Sequence, residues 1–327
     1  MKTGLVAGKF APPHRGHALL IDTARTRCDR LIVLVFDFEG QTIPPDVRAG
    51  WLREIHPGVD VRVFPTLNYP RITRDDALRE AARVREFLGE PVNVFFSSED
   101  YGEMIAEELG AVHFEVDRER ALVPITGTMI RRAPTAMLEW LEPPVRAYYV
   151  PRVCVVGSES TGKSMLCART AEHYRTQWVP EYGREYSLQK VQAGPRTWVE
   201  EEFVHIAFEQ QRREDDFARR ANHVLICDTD AFASKIWSER YLGRVPTRWP
   251  LPPSRIALYL VPYPDVPFVA DAIRDGEHMR YWMYERLIDE LTREKRPHIV
   301  LRGTFEERDA QVIEAIDALL EAEVTKS

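Results

Sequence analysis

Two short segments of this 327-residue chain combine residue types and spacings that suit phosphate chemistry. The first is Gly8-Lys9-Phe10-Ala11-Pro12-Pro13-His14-Arg15-Gly16-His17, between the strand-like run GLVAG and the helical stretch HALLIDTARTR. At such a junction helix amides converge on an anion, and a glycine lets the backbone come close to it. His14 and His17 can aim ring nitrogens at one phosphoryl group and stabilise charge developing there. The plainer alternative is a pair of histidines capping the helix. The second segment is Gly157-Ser158-Glu159-Ser160-Thr161-Gly162-Lys163-Ser164, which fits G-x-x-x-x-G-K-[ST] after the run VCVV. Its glycines permit a loop whose amides surround a β-phosphate. Lys163 then bridges β and γ oxygens, and Ser164 offers a hydroxyl to Mg²⁺.

Such a loop needs a carboxylate near the metal. The run HVLICD ends in Asp228, which is expected to meet the ion directly or through water; Asp230 follows on the same side if the chain stays extended. Glu181-Tyr182-Gly183-Arg184-Glu185-Tyr186 follows the short strand candidate WVP, where a carboxylate can orient or deprotonate a hydroxyl nucleophile. Glu181, Glu185, Asp228 and Asp230 all stand open as that base.

These segments need rigid elements to position them. Aliphatic runs alternate with longer amphipathic stretches: GLVAG, RLIVLVF, VDVRVFP, VNVFFSS and VHFEV, then VCVVG, HVLICD, RIALYLV and HIVLRG. That alternation predicts an α/β chain with two doubly wound parallel-sheet domains. EPPVRAYYVP at 142–151 reads as a short linker whose prolines break any helix, and divides the chain into 1–145 and 146–327. A 44% hydrophobic composition supports a core in each domain and rules out disorder. Net charge −7 and pI near 5.8 make nucleic acid an unexpected partner. Cys28, Cys154, Cys167 and Cys227 show no C-x-x-C pair, so neither a disulfide framework nor a zinc knuckle is implied. Without a leader-like start or an apolar run longer than strand size, a soluble cytoplasmic protein with no membrane insertion is expected, as a monomer or a homo-oligomer.

Gly8-x-Phe10-x-Pro12-x-His14-x-Gly16-His17 resembles the signature of the HxGH nucleotidyltransferases, which transfer a nucleotidyl group from a nucleoside triphosphate and release pyrophosphate. Ile125-Thr126-Gly127-Thr128-Met129-Ile130-Arg131 is similar to their I-S-G-T-x-I-R segment, with Thr126 keeping the hydroxyl of the usual serine. Phe96-Ser97-Ser98-Glu99-Asp100-Tyr101-Gly102 resembles the S-S-E-x-Y-G segment of bifunctional nicotinamide mononucleotide (NMN) adenylyltransferases. Arg48 and Trp51 resemble residues of the substrate-side helix. With the P-loop, EYGREY, a strand ending in D-T-D, and Pro267 to Arg274, nearly the whole chain resembles the NadR-type NMN adenylyltransferases and ribosylnicotinamide kinases. That family's P-W-x-x-D-G-x-R lid segment here has Phe268 for tryptophan and Ala272 for glycine, and keeps Arg274.

The resemblance implies a Rossmann-like HxGH domain over 1–145 that makes NAD and pyrophosphate from NMN and ATP. ATP would lie on Gly8, Lys9, Phe10, His14, His17, Thr126, Thr128 and Arg131, and NMN on Arg48, Trp51, Ser98, Glu99 and Tyr101. It implies a P-loop kinase over 146–327 that phosphorylates nicotinamide riboside. Here ATP would lie on residues 157–164 and Arg274, the nucleoside on Glu181, Tyr182, Arg184, Asp230 and Phe268, and Mg²⁺ on Ser164 and Asp228. Some members also carry an N-terminal helix-turn-helix repressor domain; this chain starts at the nucleotidyltransferase strand, so no DNA binding is expected. Rival readings are a different nucleoside or pantetheine-like acceptor, and a nucleotide-sensing regulator without turnover.

Overall fold

The computed structural model describes residues 1–66, 74–194, 197–246, 249, 255–270 and 276–325. The chain divides into two compact units, Met1–Val145 and Arg146–Ser327. Each contains one five-stranded, wholly parallel sheet flanked by helices, the α/β architecture that the alternating runs predict.

In unit 1 the strands β1 (Thr3–Gly8), β2 (Arg30–Asp37), β3 (Asp60–Pro65), β4 (Val94–Ser97) and β5 (Val112–Glu115) lie in the order β3-β2-β1-β4-β5. Alternation along β1 and β4 sends Val6 and Phe96 to one face, against Ile21 and Ala24 of α1 (Arg15–Arg25) and Leu52 of α2 (Pro45–Ile55). Leu5 and Phe95 go to the other, against Val84 and Leu88 of α3 (Arg74–Leu88) and Leu109 of α4 (Gly102–Leu109). Each buried Val, Leu, Ile or Phe side chain of these clusters contributes roughly 1.5–3 kcal/mol. The chain winds outward from β1 to β3 and then returns to the other side of β1. The crevice at the switch point therefore opens at the carboxyl ends of β1 and β4, where Gly8 and Ser97 lie. Helix α5 (Gly127–Arg132) follows β5.

Helix α6 (Pro143–Tyr149) occupies the segment expected to be a helix-free linker. Pro143 and Pro144 open its first turn, where no amide proton is needed and a fixed φ favours the helix, so they start it instead of breaking it.

In unit 2, β6 (Arg152–Val155) is central, and α7 (Lys163–His173), β7 (Trp178–Val179), α8 (Tyr182–Ala193), α9 (Glu200–Ala218) and β8 (Leu225–Asp228) follow. Next come α10 (Ala231–Leu242), β9 (Ile256–Pro262), α11 (Arg280–Arg293), β10 (His298–Leu301) and α12 (Phe305–Thr325). The sheet order is β10-β9-β6-β8-β7, so β6 and β8 end side by side. Val153, Val155 and Ile226 pack on Leu166 and Ala171 of α7 and Val312 and Ile316 of α12. No helix among the described residues is long and apolar enough to cross a membrane.

Candidate active sites

In unit 1 a cavity of about 930 Å³ opens at the β1/β4 crevice, and Gly8, Lys9, Phe10, His14, His17, Ser98, Glu99, Tyr101, Thr126, Thr128 and Arg131 all line it. His14 is the N-cap of α1. Its Nδ1 accepts from the Gly16 amide (3.2 Å), and His17 Nδ1 accepts from the His14 amide (3.3 Å). The histidines thus do cap the helix. Because backbone donors occupy both Nδ1 atoms, the neutral rings carry their proton on Nε2, which is left to donate. The rings stack at 3.7 Å, and Phe10 packs edge-on against His17 at 4.8 Å.

Burial, with the Arg120 guanidinium adding to it, lowers His14 to about 4. Burial, His14 and Arg120 hold His17 well below its usual range. Both are therefore neutral hydrogen-bond donors at pH 7. Above pH 6.5 this depression leaves stability unchanged. Below it the unfolded chain binds a proton that native His14 refuses, so stability falls until about pH 4, with about 2 kcal/mol gone by pH 5. We expect His14→Gln to lose less melting temperature than wild type between pH 7 and pH 5; equal losses would mean that His14 titrates normally.

Arg131 ties α5 to the loop between β1 and α1, donating from Nη1 to Ala11 O (2.5 Å) and from Nη2 to Thr128 Oγ1 (3.0 Å), while Thr126 caps the helix by accepting from Met129 N–H (3.1 Å). Lys9 Nζ rests over the Phe38 ring at 4.5 Å. Two residues expected on the NMN side stand elsewhere. Arg48 is fully buried and outside the cavity lining, and its Nε and Nη1 donate to the carbonyls of Ile43, Lys9 and Phe36, bracing the loop from behind, while its Nη2 has no hydrogen-bond partner among the described residues. Trp51 is half-buried on α2, also outside the lining. Arg120 was not anticipated: it lines the cavity from the loop after β5, donates to Ile125 O (3.1 Å) and reaches Glu99 (3.4 Å). Nothing in its local sequence separates it from a surface arginine.

In unit 2 a cavity of about 630 Å³ is lined by P-loop residues Glu159 to Ser164, by Glu181 and Arg184, and by Trp198, Phe203, Trp237 and Tyr241. Lys163 Nζ donates to Ser158 O (2.9 Å), and Gly162 takes the left-handed φ of 83° that glycine tolerates. Behind the loop, buried Arg308 donates to Thr161 O (3.0 Å) and Arg280 to Ser160 O (3.3 Å). Ser164 Oγ donates to Asp228 Oδ2 at 2.5 Å, pairing a hydroxyl from α7 with a carboxylate from β8. That donor set fits Mg²⁺, which takes one or two protein oxygens and completes its shell with water and phosphate. Among the described residues no cluster of three or more His, Cys, Asp or Glu offers an all-protein cage.

Of the four carboxylates open as base, Glu181 alone lines the cavity. Burial pushes it up to about 7 against the pull of the Lys163 ammonium, near the value a base needs at neutral pH. Glu185 is exposed and paired with Arg213 (2.8 Å). Asp230 is buried as the N-cap of α10, accepting from Ala233 N–H (3.0 Å) and Tyr259 OH (2.7 Å). The chain does not stay extended after β8, because Thr229 turns left-handed (φ 67°), and this moves Asp230 out of the lining. Tyr182 also leaves the lining: its hydroxyl meets His205 Nε2 (3.1 Å) and its ring lies under Arg213 (4.4 Å). Phe268 faces Arg280 at 5.8 Å rather than lining the cavity, and Arg274 lies outside the described residues. The aromatic wall was missed. Trp198 stands 5.0 Å from Phe203 and 5.3 Å from Tyr241, and the only sequence signal was the four-residue spacing of Trp237 and Tyr241 on α10.

A family model described as an AAA domain matches residues 152–308. The trifunctional NAD biosynthesis/regulator protein NadR of Escherichia coli (strain K12) is 26% identical over 97% of this chain and 82% of its own length. Its namesake from Salmonella typhimurium (strain LT2) is 26% identical over 89% and 76%. Two solved NadR structures, one in complex with NAD and AMP-PNP and one with NR, each cover 98% of this chain and 95% of their own. Both are 21% identical to it, with TM-scores of 0.71 and 0.73. Sequence similarity to NadR proteins therefore runs along nearly the whole chain, through both units.

Proposed function

We propose that unit 2 transfers the γ-phosphoryl group of ATP to the 5′-hydroxyl of nicotinamide riboside, and that unit 1 joins the resulting mononucleotide to the adenylyl group of a second ATP. In the first step the riboside oxygen bonds to the γ-phosphorus, the bond to the β–γ bridging oxygen breaks, and ADP leaves. Glu181 takes the hydroxyl proton, and Lys163 with the P-loop amides holds the charge that accumulates on the phosphates. Bound Mg²⁺, held by Ser164 and Asp228, would neutralise the phosphate oxygens. In the second step an NMN phosphate oxygen attacks the α-phosphorus of ATP and pyrophosphate leaves, without a covalent enzyme intermediate. The Nε2–H groups of His14 and His17, with Lys9 and Arg131, stabilise charge on the reacting phosphates.

The observation that carries this reading is that one cavity brings together a P-loop, an enclosed carboxylate and a wall of aromatic rings. Nicotinamide in its riboside is planar and positively charged, the chemistry that aromatic faces attract. The NAD, NR and ATP-analogue complexes of the NadR relatives support the same ligands. Chromatography of purified protein with nicotinamide riboside, ATP and Mg²⁺ tests it, with NMN and then NAD as the expected products. No product from either riboside or NMN would refute the assignment, and NAD formed only from supplied NMN would give unit 2 another acceptor. Trp198→Ala is expected to raise KM for riboside about tenfold and leave KM for ATP unchanged; a change in ATP affinity alone would remove Trp198 from the nucleoside side.

A further inference from the structure

The mechanism above uses Glu181 and Asp228 but leaves unexplained what keeps them in register, since one precedes α8 and the other ends β8. Glu181 is the N-cap of α8 and makes no side-chain cap hydrogen bond. Asp228 is followed by Thr229, a β-branched residue at φ 67°, a conformation that side chains of this shape rarely adopt. Such strain persists only where the surroundings enforce it.

The enforcing contact comes from α9. Gln210 is 2% exposed and lines the cavity. Its Oε1 accepts from the Tyr182 amide (2.9 Å), one residue past Glu181, and its Nε2 donates to the Thr229 carbonyl (3.1 Å), one residue past Asp228. Because one backbone partner is a donor and the other an acceptor, the amide, which also hydrogen-bonds the Glu214 side chain on the same helix, has a single orientation that satisfies both. The Thr229 amide in turn donates to Val155 O (3.0 Å) on β6, the strand that leads into the P-loop. One side chain therefore joins the turn bearing the base to the turn bearing the metal-side carboxylate. Few replacements can do this. Glutamate would set an acceptor against the Thr229 carbonyl, and leucine would leave two buried backbone groups unpaired.

We infer that Gln210 is a positioning residue of the phosphoryl-transfer centre, holding the Glu181 and Asp228 turns at one separation. The inference rests on the kinase reading of unit 2. Its role is in geometry along the reaction coordinate, so its loss is felt in kcat rather than in ground-state binding.

The test is steady-state kinetics with riboside and ATP, with melting temperatures, for wild type, Gln210→Leu, Gln210→Glu and Gln210→Leu/Thr229→Gly. Both single variants are expected to lose about thirtyfold or more in kcat with each KM within about threefold of wild type. Gln210→Glu keeps one acceptor for the Tyr182 amide and serves if the leucine variant does not fold. Glycine at 229 removes the left-handed strain, so a purely structural Gln210 would let kcat recover together with melting temperature in the double variant. We expect kcat to stay low. Wild-type kcat in both single variants, a loss carried by KM, or recovery of kcat in the double variant would overturn the inference alone. Wild type that phosphorylates no riboside would overturn the kinase reading and the inference together.

Discussion

Lys163→Ala is expected to lower riboside phosphorylation about a thousandfold in kcat while NAD formation from supplied NMN continues at the wild-type rate. Lys163 is buried and held by the Ser158 carbonyl, so its ammonium is fixed in place before ATP arrives and costs no reorganisation during transfer. Removing one preorganised donor from a site of this kind costs about 10²–10³ in rate, and Lys163 also carries the main positive charge of the loop. Its side chain belongs to a lining made wholly of unit 2 residues, which is why adenylyl transfer is spared. Following both products by chromatography separates the outcomes. Retained phosphorylation would take the P-loop out of the chemistry, and equal loss of both activities would show that the two reactions are not assigned to separate units.

His17→Ala gives the complementary result, a fall of about a hundredfold or more in adenylyl transfer, so that NMN accumulates when the reaction starts from riboside. The substitution removes one Nε2–H donor, the acceptor of the His14 amide and half of the 3.7 Å ring stack that orients His14. The effect should therefore exceed that of removing a single donor from a rigid site. His17 is already neutral at pH 7, so the loss is not one of positive charge, and lowering the pH should not rescue it. Undiminished NAD formation by this variant would remove the HxGH segment from the reaction.

Much of this protein is readable without its structure. The α/β class follows from aliphatic runs such as RLIVLVF and HVLICD, because strands buried on both faces need continuous apolar sequence. The segments at 8–17 and 157–164 stand out because backbone approach to phosphate demands glycine at fixed spacing, a local requirement that leaves a local trace. The helix at Pro143 is not legible in this way, because two prolines signal a break in mid-helix and a start at its first turn, and sequence alone does not say which turn they occupy.

What only the tertiary structure decides is how side chains from distant segments are shared between scaffold and cavity. Arg48 and Asp230 carry charges that suit ligand contact, yet each lies outside the cavity linings and is tied to buried backbone or side-chain partners whose proximity depends on the packing of whole elements. The same holds for the gains. Arg120 shares a cavity with the two histidines, Trp198 meets Tyr241, and Gln210 joins residues 182 and 229 only after crossovers bring them together. Backbone chemistry is fixed by near neighbours and is therefore legible along the chain. The partners of a buried polar group are chosen by the fold, since burial drives most such groups to find one and topology determines which it reaches.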